Sequence, residues 1–466
     1  MTESIKTNEI EEIFLKTNKK KQVQNILDKE SETKNDKLSH LKHTFIEWSL
    51  LTKFDCFSKI FEYEHNLKAK LFWLLVFLAM IFLTFWLIVL NILDFLKHQI
   101  VTKTERLYEN PTLFPAVTIC DNFAFASNQG QALMTNISQT YNVTDEFVKE
   151  YLTRMEAANP SFNDANRKKL ALFDLTSFLK CEYKAIEFNC TKYFRWFFSF
   201  EYGNCYQFNT GFNFTNNEIE LLNASRSGQD FALELKIDTN YTSDAQMGLV
   251  VFIHNSSFDP LPTDAIYVEQ GKLTFIGIKR TFISNYPSPY SECVDLTSYK
   301  SYLYNYLISL GRTYRQEDCF NLCIQQSILE ACGCFFTAFS NLNTNLRACL
   351  NITDYTCVDS QVSSFNIEEC SKTSCPLQCK YEEFDYSLSS LTNPSSDTYL
   401  NLNIYYPSLE YTQITESPKT SPYDLLAQLG GALGMFVSLS VFTLVEILEI
   451  TFLMVYHFLF HCKKNN

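Results

Sequence analysis

The chain has 466 residues, of which 46% are hydrophobic and 15% aromatic, and it carries a formal net charge of −13. Residues 1–70 hold 13 Lys/Arg and 12 Asp/Glu, residues 425–466 hold two of each, and the intervening 71–424 hold 24 basic and 38 acidic residues, so the negative excess lies in the middle of the chain. Such a field disfavours nucleic-acid partners and concentrates cations; no P-loop, G-x-S-x-G or H-E-x-x-H spacing is present, and no enzyme, metal or cofactor site is expected.

Residues 1–44 are rich in Lys, Glu and Asn and are expected to be mobile. From Leu71 to Leu93 the chain runs 23 residues without a charge, between Lys70 and Asp94. About 20 apolar residues at 1.5 Å each cross a hydrocarbon core of roughly 30 Å, so this segment predicts a membrane span. Residues 1–70 contain no apolar signal-peptide core, and the span is expected to serve as the targeting signal. A second apolar segment begins at Leu425, stays apolar to Val445, passes Glu446 and Glu449 and resumes to Phe460, which is longer than one straight crossing requires. Its helix is expected to be tilted, broken or prolonged past the bilayer. Lys59, Lys68 and Lys70 precede the first span and Lys463-Lys464 follow the second, which puts both termini in the cytosol. The expected order is a cytosolic segment 1–70, a span 71–93, an extracellular domain 94–424, a span 425–460 and a cytosolic end 461–466, in the plasma membrane.

The middle of the chain fits an extracellular position. Eight Asn-x-Ser/Thr sequons start at Asn136, Asn142, Asn189, Asn213, Asn223, Asn240, Asn255 and Asn351, all between the apolar segments. Fourteen of the 16 cysteines lie between Cys120 and Cys379, which reads as seven disulfides in an oxidising compartment; a zinc site would need reduced thiolates. The runs FALELKID, MGLVVFIH and KLTFIGIKRTFI between Phe231 and Ile283 predict strands of a central sheet. Residues 298–329 read as helical and put Cys319 and Cys323 on one face, while Cys332 and Cys334 are read as pointing the same way from an extended strand. Together they predict rungs tying a helical hairpin to the stretch 349–379.

In the second span, Gly430, Gly434 and Ser438 recur every fourth residue. This stripe allows close helix packing, or exposes backbone carbonyls and hydroxyls to a permeating ion. In the second case Ser438 and Ser440 offer oxygen ligands and Glu446 and Glu449 a ring of negative charge. Two helices cannot enclose a pore, so several copies around an axis would be needed.

From about residue 45 to 455 the chain resembles the degenerin/epithelial sodium channel family, which includes acid-sensing and peptide-gated channels. The marks are Phe114-Pro-Ala-Val-Thr-Ile-Cys120, Gly203-Asn-Cys-Tyr-Gln-Phe-Asn209, the Cys319-x3-Cys323-x8-Cys332-x-Cys334 series, Cys375-Pro-Leu-Gln-Cys379 and Leu429-Gly-Gly-Ala-Leu-Gly-Met-Phe-Val-Ser-Leu-Ser440. The resemblance implies a membrane protein in which two transmembrane helices flank a large disulfide-rich mixed α/β ectodomain. That ectodomain would have a central β-sheet (palm) and a helical, cysteine-laddered thumb. It implies a homo- or heterotrimer passing Na+, blockable by amiloride and opened by an extracellular peptide or by protons. It further implies the pairs Cys120–Cys205, Cys181–Cys190, Cys293–Cys379, Cys319–Cys375, Cys323–Cys370, Cys332–Cys357 and Cys334–Cys349. Ser438-Leu439-Ser440 falls on the selectivity filter and Ala427 on the outer-pore position where bulky side chains hold such channels open. Gly430, Gly431 and Gly434 line the approach to the filter, and the cytosolic carboxylates fall on Glu446 and Glu449. His98 and Tyr290 fall on an aromatic pair at the wrist between ectodomain and membrane. Three departures bear on function: Asp55-Cys56 stands where the family has a His-Gly pair that affects gating, Ser438 stands where most members have Gly, and the wrist's aromatic pair appears as His98 and Tyr290. The first keeps open a non-conducting accessory subunit. An ATP-gated cation receptor shares the two-span trimeric plan, but has fewer ectodomain cysteines and a Lys-rich nucleotide site.

Overall fold

The computed structural model describes residue 48 and residues 67–159, 161–239, 248–296, 299–309, 313–337, 339, 342, 346–392 and 399–461. They fall into two compact units, one of residues 100–417 and one combining the chain up to 99 with the chain from 418 onward.

In the second of these, helix α1 spans Leu67–Leu96. It has neither Gly nor Pro to interrupt it, and polar Lys68, Lys70 and Asp94 carry its ends past the apolar 71–93 core. Its side chains are largely bare, Phe82 being 66% and Trp86 55% exposed. An apolar surface of this extent along a 30-residue helix is stable in lipid rather than in water. It is the single unbroken helix among the described residues long and apolar enough to cross a membrane; a second candidate is a bent pair described below.

The unit of residues 100–417 holds two main sheets. Strands β1 (Ile100–Tyr108), β2 (Thr112–Leu113) and β3 (Ala116–Cys120) lead into helices α2 (Asn128–Tyr141) and α3 (Glu146–Ala158). There follow β4 (Phe178–Tyr183), β5 (Ile186–Glu187), β6 (Phe194–Ser199), β7 (Gly203–Phe208), β8 (Asn223–Ala224), β9 (Leu233–Asp238), β10 (Gly248–His254), β11 (Ile266–Glu269) and β12 (Lys272–Ser284). Helices α4 (Tyr302–Ser309), α5 (Gln316–Cys332), α6 (Ile352–Ser363) and α7 (Ile367–Thr373) come next, and the chain returns through β13 (Lys380–Thr392), β14 (Tyr399–Tyr405) and β15 (Glu410–Pro418). The larger sheet has the order β1-β15-β12-β14-β9-β4-β5, with β13 antiparallel along the other edge of β12; the smaller has the order β11-β10-β3-β7-β6. The expected central sheet is present, and the three runs read as strands form β9, β10 and β12.

Packing follows the period of each strand. In β9, Leu233, Leu235 and Ile237 are buried while Glu234, Lys236 and Asp238 are half-buried, and β14 repeats this with Leu400, Leu402 and Ile404. These side chains join Phe114, Phe173, Phe178, Phe194, Phe208, Ile276 and Ile278 in one core. β3, β7 and β10 are buried throughout; β3 and β10 are near-continuous apolar runs, while β7 also buries Asn204 and Gln207.

The helical part is clamped covalently. Disulfides join Cys319–Cys375, Cys323–Cys370, Cys332–Cys357, Cys334–Cys349 and Cys293–Cys379, and Cys120–Cys205 and Cys181–Cys190 lie in the sheet region. Two details differ from the expectation. The helical stretch is split into α4 and α5, and Cys332 is the last residue of α5 rather than part of a strand. Gly333, at φ 63°, supplies the left-handed turn that ends α5 and lets Cys334 leave in a new direction.

Where segments from four parts of the chain meet, a charged cluster replaces apolar packing. Arg280 of β12, its side chain 8% exposed, donates to Glu382 of β13 at 2.7 Å, to Glu109 after β1 at 2.5 Å and to Thr112. The second oxygen of Glu382 accepts from the Asn255 amide at 2.7 Å. Removing one partner of a buried pair leaves the other charge stranded, at a cost of about 3–5 kcal/mol. Arg280→Met is therefore expected to lower the thermal midpoint of the purified chain by far more than Lys103→Met, whose ion pair with Glu105 lies at the exposed surface; equal shifts would contradict the assignment.

His254, at the end of β10, is 4% exposed. Its Nδ1–H donates to Asn255 O at 2.9 Å, so Nε2 accepts from the Thr118 hydroxyl at 2.8 Å. Burial pushes its pKa down from 6.5 to about 4. Between these two values the unfolded chain binds a proton that the folded chain refuses, so this stability contribution is complete above pH 6.5 and is lost as pH falls toward 4. His254→Gln is expected to flatten the decline in thermal midpoint across that window, measured against wild type.

Candidate functional site

The second apolar segment is two helices, α8 (Pro422–Val437) and α9 (Val441–His461), meeting at 70° across residues 438–440. The first begins on a reciprocal cap. The Ser421 hydroxyl accepts from the Asp424 N–H at 3.1 Å, the Asp424 carboxylate accepts from the Ser421 N–H at 3.0 Å, and Pro422 occupies the first helical position.

Helix α8 packs against α1 within this unit, and its faces are unlike. Ala432 and Val437 are buried, whereas Ala427, Gly430, Gly431 and Gly434 are exposed along one side. A methyl group added at Gly430 or Gly431 would meet nothing within 4 Å, and one at Gly434 would meet only Leu439 O at 3.9 Å. The glycines are thus not required for close packing inside one chain, and their stripe stays open.

The break is built from backbone bonds. α8 ends at Ser438, whose φ of 57° is left-handed, and the N–H groups of Ser438 and Leu439 both turn back to Leu433 O. α9 then starts from Ser440: its N–H donates to Thr443 Oγ1 at 2.6 Å, its Oγ accepts from the Thr443 N–H at 3.3 Å, and its carbonyl accepts from the Thr443 hydroxyl at 2.7 Å. Thr443 is 2% exposed. Residues Thr443, Glu446 and Ile450 share the inward face of α9, with Glu446 half-buried, while Glu449 is exposed.

The structure therefore brings Ala427, Gly430, Gly431, Gly434 and the Ser438–Ser440 break onto one continuous segment, with Glu446 and Glu449 beyond it. Asp55, Cys56 and Asn240 lie outside the described residues. His98 follows α1 at φ 48° with its ring 6.4 Å from that of Phe95, and Tyr290 stacks edge-on to Tyr286 at 5.1 Å. Among the sequons, Asn136, Asn142, Asn189 and Asn223 are exposed, and Asn213, Asn255 and Asn351 are half-buried. Asn351 caps α6 and the Asn255 amide is committed to Glu382. Thr443 and the Arg280 cluster were not singled out from the sequence. Ser440-x-x-Thr443 does have cap spacing, but only the break itself gives it meaning.

A sequence profile described as amiloride-sensitive sodium channel matches residues 49–450. Acid-sensing ion channel 1C of Danio rerio is 23% identical over 445 residues, covering 84% of this chain and 80% of its own length. The bile acid-sensitive ion channel of Mus musculus is 24% identical, covering 87% of both chains. Degenerin del-1 of Caenorhabditis elegans is 24% identical over 67% of this chain, which spans about half of that protein (49%). The matched region runs from ahead of α1 well into α9, and takes in the whole unit of residues 100–417 and the broken apolar segment. On that match the chain belongs to the amiloride-sensitive sodium channel family, whose members are membrane ion channels and not enzymes.

Proposed function

We propose that the chain is a subunit of a trimeric, amiloride-sensitive, sodium-selective channel of the plasma membrane, opened by an extracellular ligand. In this reading α1 is the first span and α8 with α9 the second. Residues 94–424 are extracellular and both termini cytosolic. Ser438-Leu439-Ser440 form the filter, Ala427 and the glycine stripe line the outer pore, and Glu446 and Glu449 flank its cytosolic side.

The observation that carries the reading is the position of the break. An apolar segment within a bilayer keeps its helical hydrogen bonds unless the irregular backbone is buried in protein or lines a water-filled path, and the open face beside this break favours the second. Here the helix is interrupted at 438–440, directly below a face of Ala427, Gly430, Gly431 and Gly434 left open by the rest of the chain. The acidic excess of residues 71–424 supports a cation as the permeating species. The relatives are named for acid and bile acid, so protons and bile acids are the stimuli to apply first. A second reading, an accessory subunit that does not conduct alone, is favoured by Asp55-Cys56 in place of His-Gly.

Ala427→Phe, expressed in oocytes, is expected to give a standing sodium current several-fold above wild type that amiloride blocks. A surface-expressed variant with no current, alone or with related subunits, would reject the channel reading. If Asp55→His with Cys56→Gly creates current where wild type has none, the accessory reading stands. At the break, Ser438→Gly removes a left-handed strain of about 1 kcal/mol, and is expected to preserve a sodium current.

A further inference from the structure

Ser440 is read above as part of a filter, yet its polar atoms are engaged inside the chain. The N–H goes to Thr443 Oγ1 at 2.6 Å, Oγ takes the Thr443 N–H at 3.3 Å, and the carbonyl takes both the Thr443 hydroxyl at 2.7 Å and the Leu444 N–H at 3.1 Å. Among the described residues no hydrogen bond engages Ser438 Oγ or the Leu439 carbonyl, which lies beside Gly434. Thr443 makes three of Ser440's four bonds, two of them through its hydroxyl and one through its backbone N–H, and it is 2% exposed. It lies outside the three residues of the break.

We propose that Thr443 is the positioning residue of ion discrimination. It locks Ser440 as the cap of α9, and so leaves the oxygens of Ser438 and Leu439, rather than those of Ser440, to meet a permeating cation. This rests on residues 438–440 being the filter. The physical ground is the position of the Thr443 hydroxyl, which accepts one backbone N–H and donates to one backbone carbonyl in the same turn. Valine has nearly the same shape and can do neither, so the Ser440 carbonyl would keep only the Leu444 N–H and the Ser440 N–H would have to find a new partner by rotating the break. Serine at the same position retains both bonds. The role belongs to the hydroxyl and not to the volume.

Two measurements on the full-length chain test this. The first is hydrogen–deuterium exchange of the purified protein in detergent micelles. Thr443→Val is expected to speed exchange across residues 438–444 about tenfold, the loss of one net hydrogen bond, while Thr443→Ser stays at the wild-type rate. Unchanged exchange in Thr443→Val overturns the proposal. The second is the reversal potential under Na+/K+ bi-ionic conditions. Thr443→Val is expected to lower the sodium preference several-fold and Thr443→Ser to leave it unchanged; faster exchange with an unchanged preference overturns the role in discrimination. If Thr443→Val does not reach the surface, Ser440→Asn decides, because Asn caps as well as Ser but offers a different oxygen. A wild-type preference in Ser440→Asn supports Ser440 as a cap, and a collapsed preference shows its oxygen to be a ligand and overturns the proposal. A wild type without sodium current counts against the channel reading, and exchange then decides the positioning role by itself.

Discussion

Everything in the apolar unit depends on how a backbone meets its hydrogen-bonding needs when water is scarce. α1 does so in the ordinary way, with thirty residues of uninterrupted helix, and even Thr84 turns its hydroxyl back to Met80 O at 2.8 Å. The second segment does not. It opens a gap of three residues, and the gap survives because both of its lips are capped by the chain itself, Leu433 receiving the last N–H groups of α8 and Thr443 closing the start of α9. Remove either lip and an uninterrupted helix becomes the cheaper solution. The break is thus a built feature, and its chemistry is that of two helix ends rather than of a flexible joint.

The unit of residues 100–417 solves a different problem with different means. Its two sheets share an apolar core of ordinary kind, but at the meeting of β12, β13, the end of β1 and the end of β10 the chain uses Arg280, Glu109, Glu382 and Asn255. An apolar cluster would tolerate sliding of these segments. A guanidinium with fixed donor directions does not, so the cluster specifies one register among four pieces of chain. His254, next to Asn255, is held neutral in the same neighbourhood, which leaves carboxylates and not this imidazole to answer to mild acid.

The division between what the sequence conveyed and what it withheld follows the range of the interactions. The runs that became β9, β10 and β12 were legible because alternation and β-branched content are local, and so was the length of α1. The second segment could be read as too long for one straight span, but not where it breaks, because the cap at Ser440 and Thr443 resembles any Ser-x-x-Thr in a helix until the turn before it is known. Arg280 bonds residues up to 171 positions away, and the cluster leaves no mark on any window of sequence. Counting cysteines left their pairing open; in the fold it follows from one helix, α5, presenting Cys319, Cys323 and Cys332 to the segment that returns beside it.

That helix has a mechanical consequence. A pair of segments held by hydrogen bonds and side-chain packing can shear, each sliding a little and dissipating a push as internal slack. α5 and the returning chain are joined by successive covalent rungs, from Cys334–Cys349 through Cys332–Cys357 and Cys323–Cys370 to Cys319–Cys375. Such a ladder can twist or tilt as a whole, but its rails cannot slip. A push at its far end is therefore carried by covalent bonds toward its foot, where Cys293–Cys379 fastens the chain just before β13.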